Sequence, residues 1–253
     1  MTISNRQLES YLDELLNSKQ IKDYSPNGLQ VEGQETITKV VTGVTASEAL
    51  IDEAIAQGAH AILVHHGYFW KGEDSTIKGL KRNRLKKLLS HDINLFGYHL
   101  PVDIHPQFGN NAQLANKLGI GSIEAVKHVS PEGVLMRGTL HSPMTTDELG
   151  NLLTSELNRV PLINSVRNKA IKTLAWCTGG GQGYIDEAAD LGVDAFLTGE
   201  VSEQTIHSSR EYKIDFIAAG HHATERYGIK AVGEHISEAL GLNVTFIDID
   251  NPA

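Results

Sequence analysis

Cysteine is almost missing: Cys177 is the single thiol among 253 residues. That excludes an internal disulfide framework and any cysteine-rich zinc site, and it fits a reducing compartment. A metal, if one binds, must then be held by histidine and carboxylate. Long apolar runs are missing too. No stretch approaches the roughly eighteen apolar residues of a membrane span, and the start, Met1-Thr2-Ile3-Ser4-Asn5-Arg6, lacks the basic and apolar segments of a secretory leader. The expectation is a soluble cytoplasmic chain with no membrane partner. Positive charge is also scarce, with 22 basic against 31 acidic residues and a formal charge of −9. Such a balance disfavours a dedicated nucleic-acid surface. The local exception is Lys78, Lys81, Arg82, Arg84, Lys86 and Lys87. This run reads first as a solvated helix face, and functionally as an attractor for a phosphorylated ligand.

What is present is an alternation of strand and helix signals. Ser4 with Gln7, ahead of Leu8, Leu12, Leu15 and Leu16, predicts a capping box and an amphipathic helix. Pro26-Asn27-Gly28 then breaks it and turns into a strand. Residues 38–44 read as a strand, and Thr45 with Glu48 predicts a second capping box for a helix stopping at Gly58. Buried strands follow at Ala61–Val64 and Ile93–Tyr98, with the basic helix near Leu80–Leu89 before the second of them. Alternation of this kind predicts a mainly parallel α/β sheet. Between His128 and Ile171 the pattern is interrupted by strand-like segments around a helix from Thr145, capped with Glu148.

The order then repeats. An offset of 134 carries Ile51-Asp52-Glu53-Ala54 onto Ile185-Asp186-Glu187-Ala188, and also Gly58 onto Gly192 and Ala61 onto Ala195. A second offset, 121, lays the strand from Ile93 onto that from Ile214. The expectation is an internal duplication: two similar, interlinked α/β domains, 1–125 and 126–253, with mainly parallel sheets flanked by helices. Strand ends of both halves would meet in a cleft between them, where open α/β sheets build their sites.

Histidines sit at those strand ends. Val64-His65-His66-Gly67, Gly97-Tyr98-His99-Leu100-Pro101-Val102-Asp103 and Gly220-His221-His222 each close an apolar run. Adjacent residues on an extended chain point to opposite sides, so His65 and His66 suit two ions better than one. His221 and Glu225 are four apart and share one face of a helix. A glutamate there can bridge two ions roughly 3.5 to 4 Å apart, the spacing of two-metal hydrolytic sites. Asp103 offers a second carboxylate. Taken singly, a histidine after a strand reads as a hydrogen-bonded loop residue, and His60, His91, His128, His141, His207 and His235 are read as surface or core. His99, His105 and His222 are intermediate, as partners that orient a ligand or carry protons. Thr178-Gly179-Gly180-Gly181-Gln182-Gly183 reads as a tight strand-to-helix turn rather than a phosphate cradle, because it lacks the P-loop lysine.

These pieces resemble the NGG1-interacting-factor-like family, whose bacterial members go by the name GTP cyclohydrolase 1 type 2 homologue. The likeness spans nearly the full chain and rests on Asn27-Gly28-Leu29-Gln30-Val31, His65-His66-Gly67, Gly97–Asp103, Thr198-Gly199-Glu200 and Gly220-His221-His222-Ala223-Thr224-Glu225. The resemblance implies a dinuclear metal protein of two interlinked α/β domains, assembled as a toroidal homohexamer with its sites facing an internal cavity. It implies that His66 and Asp103 hold one ion, His65 and His221 the other, and that Glu225 bridges them. One departure stands out: family members usually carry a proline after the histidine pair, whereas Gly67-Tyr68-Phe69-Trp70-Lys71-Gly72 follows here. Nor is there room at 253 residues for the domain some members insert between the halves.

The leading expectation is a hydrolase with two divalent metal ions per chain, zinc, iron and manganese all being compatible with the donors. Its substrate would be a purine nucleotide such as GTP, opened by water attack at C8, with His99 and His222 as catalytic candidates. Tyr68, Trp70 and Lys71 are candidate ligand contacts, as an aromatic and basic loop beside the metals. A non-catalytic metal-handling or partner-binding ring, and a phosphoesterase using the same ions, are the competing readings.

Overall fold

The Ser4 hydroxyl accepts the Gln7 backbone N–H while the Gln7 side chain accepts the Ser4 N–H, the capping box expected from the sequence. In the computed structural model, which describes residues 2–253, this cap joins a short strand, β1 (Ile3–Ser4), to α1 (Asn5–Leu15). The chain continues through β2 (Gly28–Val31), β3 (Thr36–Ile37), β4 (Lys39–Thr45), α2 (Glu48–Ala56), β5 (Ala61–His66), α3 (Gly79–Ser90) and β6 (Asn94–Gly97). Next come α4 (Leu100–Ile104), α5 (Asn110–Leu118), β7 (Ile120–Ala125), β8 (Met136–Met144), α6 (Thr146–Leu157) and β9 (Leu162–Asn164). The last elements are β10 (Ile171–Cys177), α7 (Ile185–Asp190), β11 (Ala195–Thr198), α8 (Glu203–Tyr212), β12 (Asp215–Ala218), α9 (His221–Leu240) and β13 (Asn243–Phe246).

Two compact units result. One holds the residues up to Val102 with Gly228–Asp250, the other Asp103–Tyr227 with Asn251–Ala253. The repeat in the sequence puts the division after residue 125. Packing puts α5 in the second unit instead, because Leu114, Ala115 and Leu118 share a core with Leu140, Leu153 and Trp176.

In the first unit a five-stranded sheet runs in the order β13-β4-β5-β6-β2, parallel except for the β2 edge. Its central strands are apolar on both faces, as strands covered on both sides must be. Val41, Leu50, Ile51, Ile62, Val64 and Leu95 form the core that α2 and α3 cover. In the second unit the sheet order is β7-β8-β10-β11-β12-β9. There β10, β11 and β12 are parallel, and the strands on either side are antiparallel. The architecture is α/β with parallel sheet centres. The offsets read from the sequence land strand on strand: Ala61 on Ala195 opens β5 and β11, and Asn94 on Asp215 opens β6 and β12.

One local expectation is corrected. The N-cap of α2 is Ser47, whose hydroxyl accepts the Leu50 N–H. Thr45 has the right spacing to Glu48, but it ends β4 and its hydroxyl meets the His66 ring. Half of the basic run around α3 pairs with acid: Lys78 with Asp74, Lys81 with Glu73, and Lys87 with Glu48 and Asp52. This fits the solvated helix face read first from the sequence. Among the described residues no helix is long and apolar enough to cross a membrane.

Candidate metal centre

β5 buries Ala61 to Val64 and ends in the two histidines, His65 fully buried and His66 partly so. β6 lies parallel beside it and delivers His99 just past its own end. Parallel register is what gathers these rings: one nitrogen from each of His65, His66 and His99 lies within 4.8 Å of the other two. The ring centroids are 4.3 Å apart for His65 and His66 and 5.1 Å for His65 and His99.

In each ring an oxygen meets Nδ1. His65 Nδ1 donates to the Tyr98 carbonyl at 3.2 Å. His66 Nδ1 is 3.1 Å from the Thr45 hydroxyl, and His99 Nδ1 donates to Asp23 at 2.9 Å. Burial works against the charge on Asp23, yet bonds from His99, the Asn27 amide and the Leu100 N–H outweigh it and hold the carboxyl at about 2. A carbonyl or an ionised carboxylate can only accept, so Nδ1 carries the proton in His65 and His99. Nε2 is left with the lone pair, the arrangement by which proteins aim imidazole at a metal.

The second unit contributes carboxylates. Asp103, on α4, accepts from the Asn110 amide at 2.8 Å and from the Thr178 hydroxyl at 3.5 Å. His221 and Glu225 lie one turn apart at the start of α9, with His221 Nε2 3.1 Å from a Glu225 oxygen. His221 Nδ1 in turn donates to Glu200 at 2.7 Å. Burial alone would lower the His221 pKa, but Glu225 and Glu200 outweigh it and raise it to about 9. Carboxylate oxygens of Asp103 and Glu225 approach within 4.8 Å, although both residues are buried. Two carboxylates so placed repel unless positive charge or a proton compensates them. The neighbouring Cys177 thiol is pushed well up by burial and by those same two carboxylates. It behaves as a packed core residue.

The donor chemistry of these groups is therefore of the kind that could hold a metal ion. Buried imidazoles have their Nδ1 anchored and Nε2 directed, and the carboxylates are themselves oriented by hydrogen bonds. The glycine-rich turn fits this too. Gly179 sits at φ +65°, and an added Cβ would overlap the Glu225 carboxylate and lie 3.2 Å from His221 Nε2. Gly179 leaves space there and is not part of a phosphate cradle.

The remaining candidates divide. His222 is buried on the same turn of α9, and its backbone N–H donates to the Ala253 carbonyl at 3.3 Å. His105 Nδ1 accepts the Gln107 and Phe108 N–H groups, so it ties down its own turn. Tyr68 is withdrawn as a ligand contact: it is buried and its hydroxyl donates to the Ala46 carbonyl at 2.6 Å. Trp70 keeps its place, its ring 4.9 Å from His99 and 6.0 Å from His66. Sequence reasoning missed Asp23 and gave Glu200 no role. The signals for Glu200 were its position in the repeat, where the 134 offset lays it on His66, and its place in Thr198-Gly199-Glu200, one of the pieces that carry the resemblance.

Comparison with known proteins identifies the family. Residues 3–252 match the model of the family described as Duf34/NIF3 (NGG1p interacting factor 3). Curated relatives named GTP cyclohydrolase 1 type 2 homolog include one from Escherichia coli K12, 56% identical over 252 residues, covering 99% of this chain and 100% of that protein. Another, from Yersinia pestis, is 58% identical over 250 residues, with 98% and 99% covered. Among solved structures, protein ybgI, described as of unknown function, superposes with a TM-score of 0.95 at 56% identity over 99% of this chain and 100% of that one. A protein of Thermus thermophilus follows at TM-score 0.91 and 32% identity, with the same coverage.

Proposed function

The chain belongs to the Duf34/NIF3 family, and on that basis we propose a dinuclear, metal-dependent hydrolase that opens the five-membered ring of a purine nucleotide such as GTP. The observation that carries the metal reading is the set of anchored imidazoles: His65, His66 and His99 converge within 4.8 Å with Nδ1 of each turned onto an oxygen. The nucleotide is suggested by the name of the relatives.

In this reading His65, His66, Asp103, His221 and Glu225 would hold the metal. Two divalent ions, when bound, would supply Lewis-acid polarisation and lower the pKa of water from about 15.7 toward 7. The protein's own groups do the rest. His99 keeps a proton on Nδ1 through Asp23, so its Nε2 is the atom that accepts and returns a proton near the reacting ring. Asn110 and Thr178 hold the Asp103 carboxylate in one orientation. His222, the second catalytic candidate, shares the first turn of α9 with His221 and serves as a further proton carrier. Zinc, iron and manganese suit these donors. A homohexameric, cytoplasmic ring with a nucleotide-like small molecule as its partner completes the proposal.

Turnover is tested with purified protein loaded with each metal in turn and followed for loss of the GTP imidazole ring. Ring opening that disappears in Glu225→Ala, together with metal content, is the expected result. Ring opening that is undetectable with every metal, or that survives in Glu225→Ala, overturns the proposal. Sedimentation velocity decides the hexamer separately.

A further inference from the structure

Tyr24 is one of the few large aromatics left open to solvent, 54% exposed, and yet it is held firmly. Its N–H and that of Ser25 donate to Asp23 at 2.7 and 3.1 Å, and its carbonyl accepts the Lys71 N–H at 2.8 Å. Its ring meets His99 edge-on at 4.8 Å and lies 5.7 Å from Trp70 at an interplanar angle of 38°. Trp70 is fixed in turn: its indole N–H donates to the Gly67 carbonyl at 3.1 Å and its backbone N–H to Glu73 at 3.0 Å. Tyr24, Trp70 and His99 therefore form a triangle of rings, closed by the 4.9 Å contact of Trp70 and His99. One flank continues into His66 and His65, and the other is the open tyrosine.

An exposed ring gains little stability for the fold. One that is pre-positioned beside a cluster of chemically competent imidazoles has the properties of a stacking surface. Charge points the same way. Lys78, Lys81 and Lys87 are engaged with acids, whereas Lys71, next to Trp70 and exposed, makes no ion pair among the described residues.

We infer that Tyr24 and Trp70 form the base-binding platform of the site, taking a planar heteroaromatic ring against the exposed part of Tyr24 while Lys71 meets its phosphate. This deepens the proposed function and rests on it for the identity of the base. Lys71 would add the salt-dependent part of the affinity.

The two tryptophans make the test direct. Trp176 is fully buried and packed in the second unit's core, so a ligand-induced change in emission reports Trp70. Intact metal-loaded protein is titrated with guanosine monophosphate, and separately with ribose 5-phosphate, with inner-filter correction; ring opening is followed in parallel by absorbance. Saturable quenching by the nucleotide and none by the sugar phosphate is expected. Tyr24→Ala should weaken nucleotide affinity about tenfold, the scale of one stacked base, and Trp70→Phe should abolish the emission response. Tyr24 is largely exposed, so the variant is expected to fold, and a thermal melt checks it; Lys71→Ala, which should weaken the nucleotide and flatten the salt dependence, is the second variant. Absence of quenching, equal quenching by ribose 5-phosphate, an unchanged affinity in Tyr24→Ala, or a response that persists in Trp70→Phe would each overturn the platform. Quenching without ring opening defeats the hydrolase proposal and leaves the platform standing. Ring opening without quenching does the reverse.

Discussion

An imidazole offers a metal whichever nitrogen its surroundings leave unprotonated, so the residue opposite Nδ1 decides what a histidine can do. Glu200 holds that position for His221 at 2.7 Å, with its own side chain 45% exposed. Glu200→Ala should therefore leave folding intact and weaken metal affinity roughly 10- to 100-fold, read by competition with a chromogenic chelator. Glu200→Gln retains an acceptor oxygen and should restore most of it; an alanine variant that binds metal normally would show that Glu200 does not orient the ring. Gly179→Ala should be harsher. Its φ of +65° and the overlap of a new Cβ with the Glu225 carboxylate act together, costing about 1–2 kcal/mol in backbone strain and displacing a ligand. Lower melting temperature together with lost metal is expected, and full retention of both would count against the close packing. His65, His66, Asp103, His221 and Glu225 were marked as candidates by local features of the sequence: His65 and His66 end β5, Asp103 and His221 follow β6 and β12, and Glu225 is one helical turn from His221. Asp23 and Glu200 were not. Their bonds to His99 and His221 span 76 and 21 positions, and nothing local marks a carboxylate whose partner is brought by the fold.

Helix caps show how an element is read correctly or misread. Ser4 with Gln7 and Thr145 with Glu148 are reciprocal boxes, and both form. Thr45 with Glu48 has the same spacing, but β4 claims Thr45 for pairing with His66 in β5, and Ser47 takes the cap. Ser47→Ala should lower stability by about 1 kcal/mol, measured as a shift in the urea midpoint. Were Thr45 the cap, the same change would be close to neutral. Between β10 and β11 a single carboxylate does comparable work. Asp194 accepts the Lys172 and Thr173 N–H groups at 2.8 and 2.9 Å and pairs with Arg167. Burial opposes its charge, but those bonds and Arg167 prevail, and its pKa falls below 3.8. A carboxyl depressed on folding contributes stability that is complete above its unfolded value and lost as pH falls through the folded one. Asp194→Asn should accordingly lower the melting temperature at neutral pH, with the gap to wild type closing in acid below pH 3.8. A gap that is constant with pH would place the effect in packing instead of charge.

Taken whole, the chain shows the centres of its sheets in sequence and conceals their margins. The offsets of 134 and 121 land on β5 and β11, and on β6 and β12, because strands buried on both faces must be apolar throughout and keep that composition. β7 and β9 follow a different rule, being partly exposed edges in antiparallel pairs, so their membership comes from tertiary packing. The same reason moves the division of the units from residue 125 to Val102. Metal binding of the kind proposed would make the stability of the folded chain depend on ion occupancy. An ion held at a hundred times its dissociation constant adds about 2.7 kcal/mol, which for a chain of this size raises the melting temperature by roughly 5–10 °C. Protein purified without chelator should carry close to two metal ions per chain by elemental analysis, and stripping them should lower its melting temperature by at least that amount. Glu225→Gln keeps nearly the same volume while removing the bridging charge, so its melting temperature should start low and no longer respond to chelator. A stripped wild type that melts where the loaded protein does would mean that the histidines and carboxylates are satisfied by one another, and that the cluster is structural.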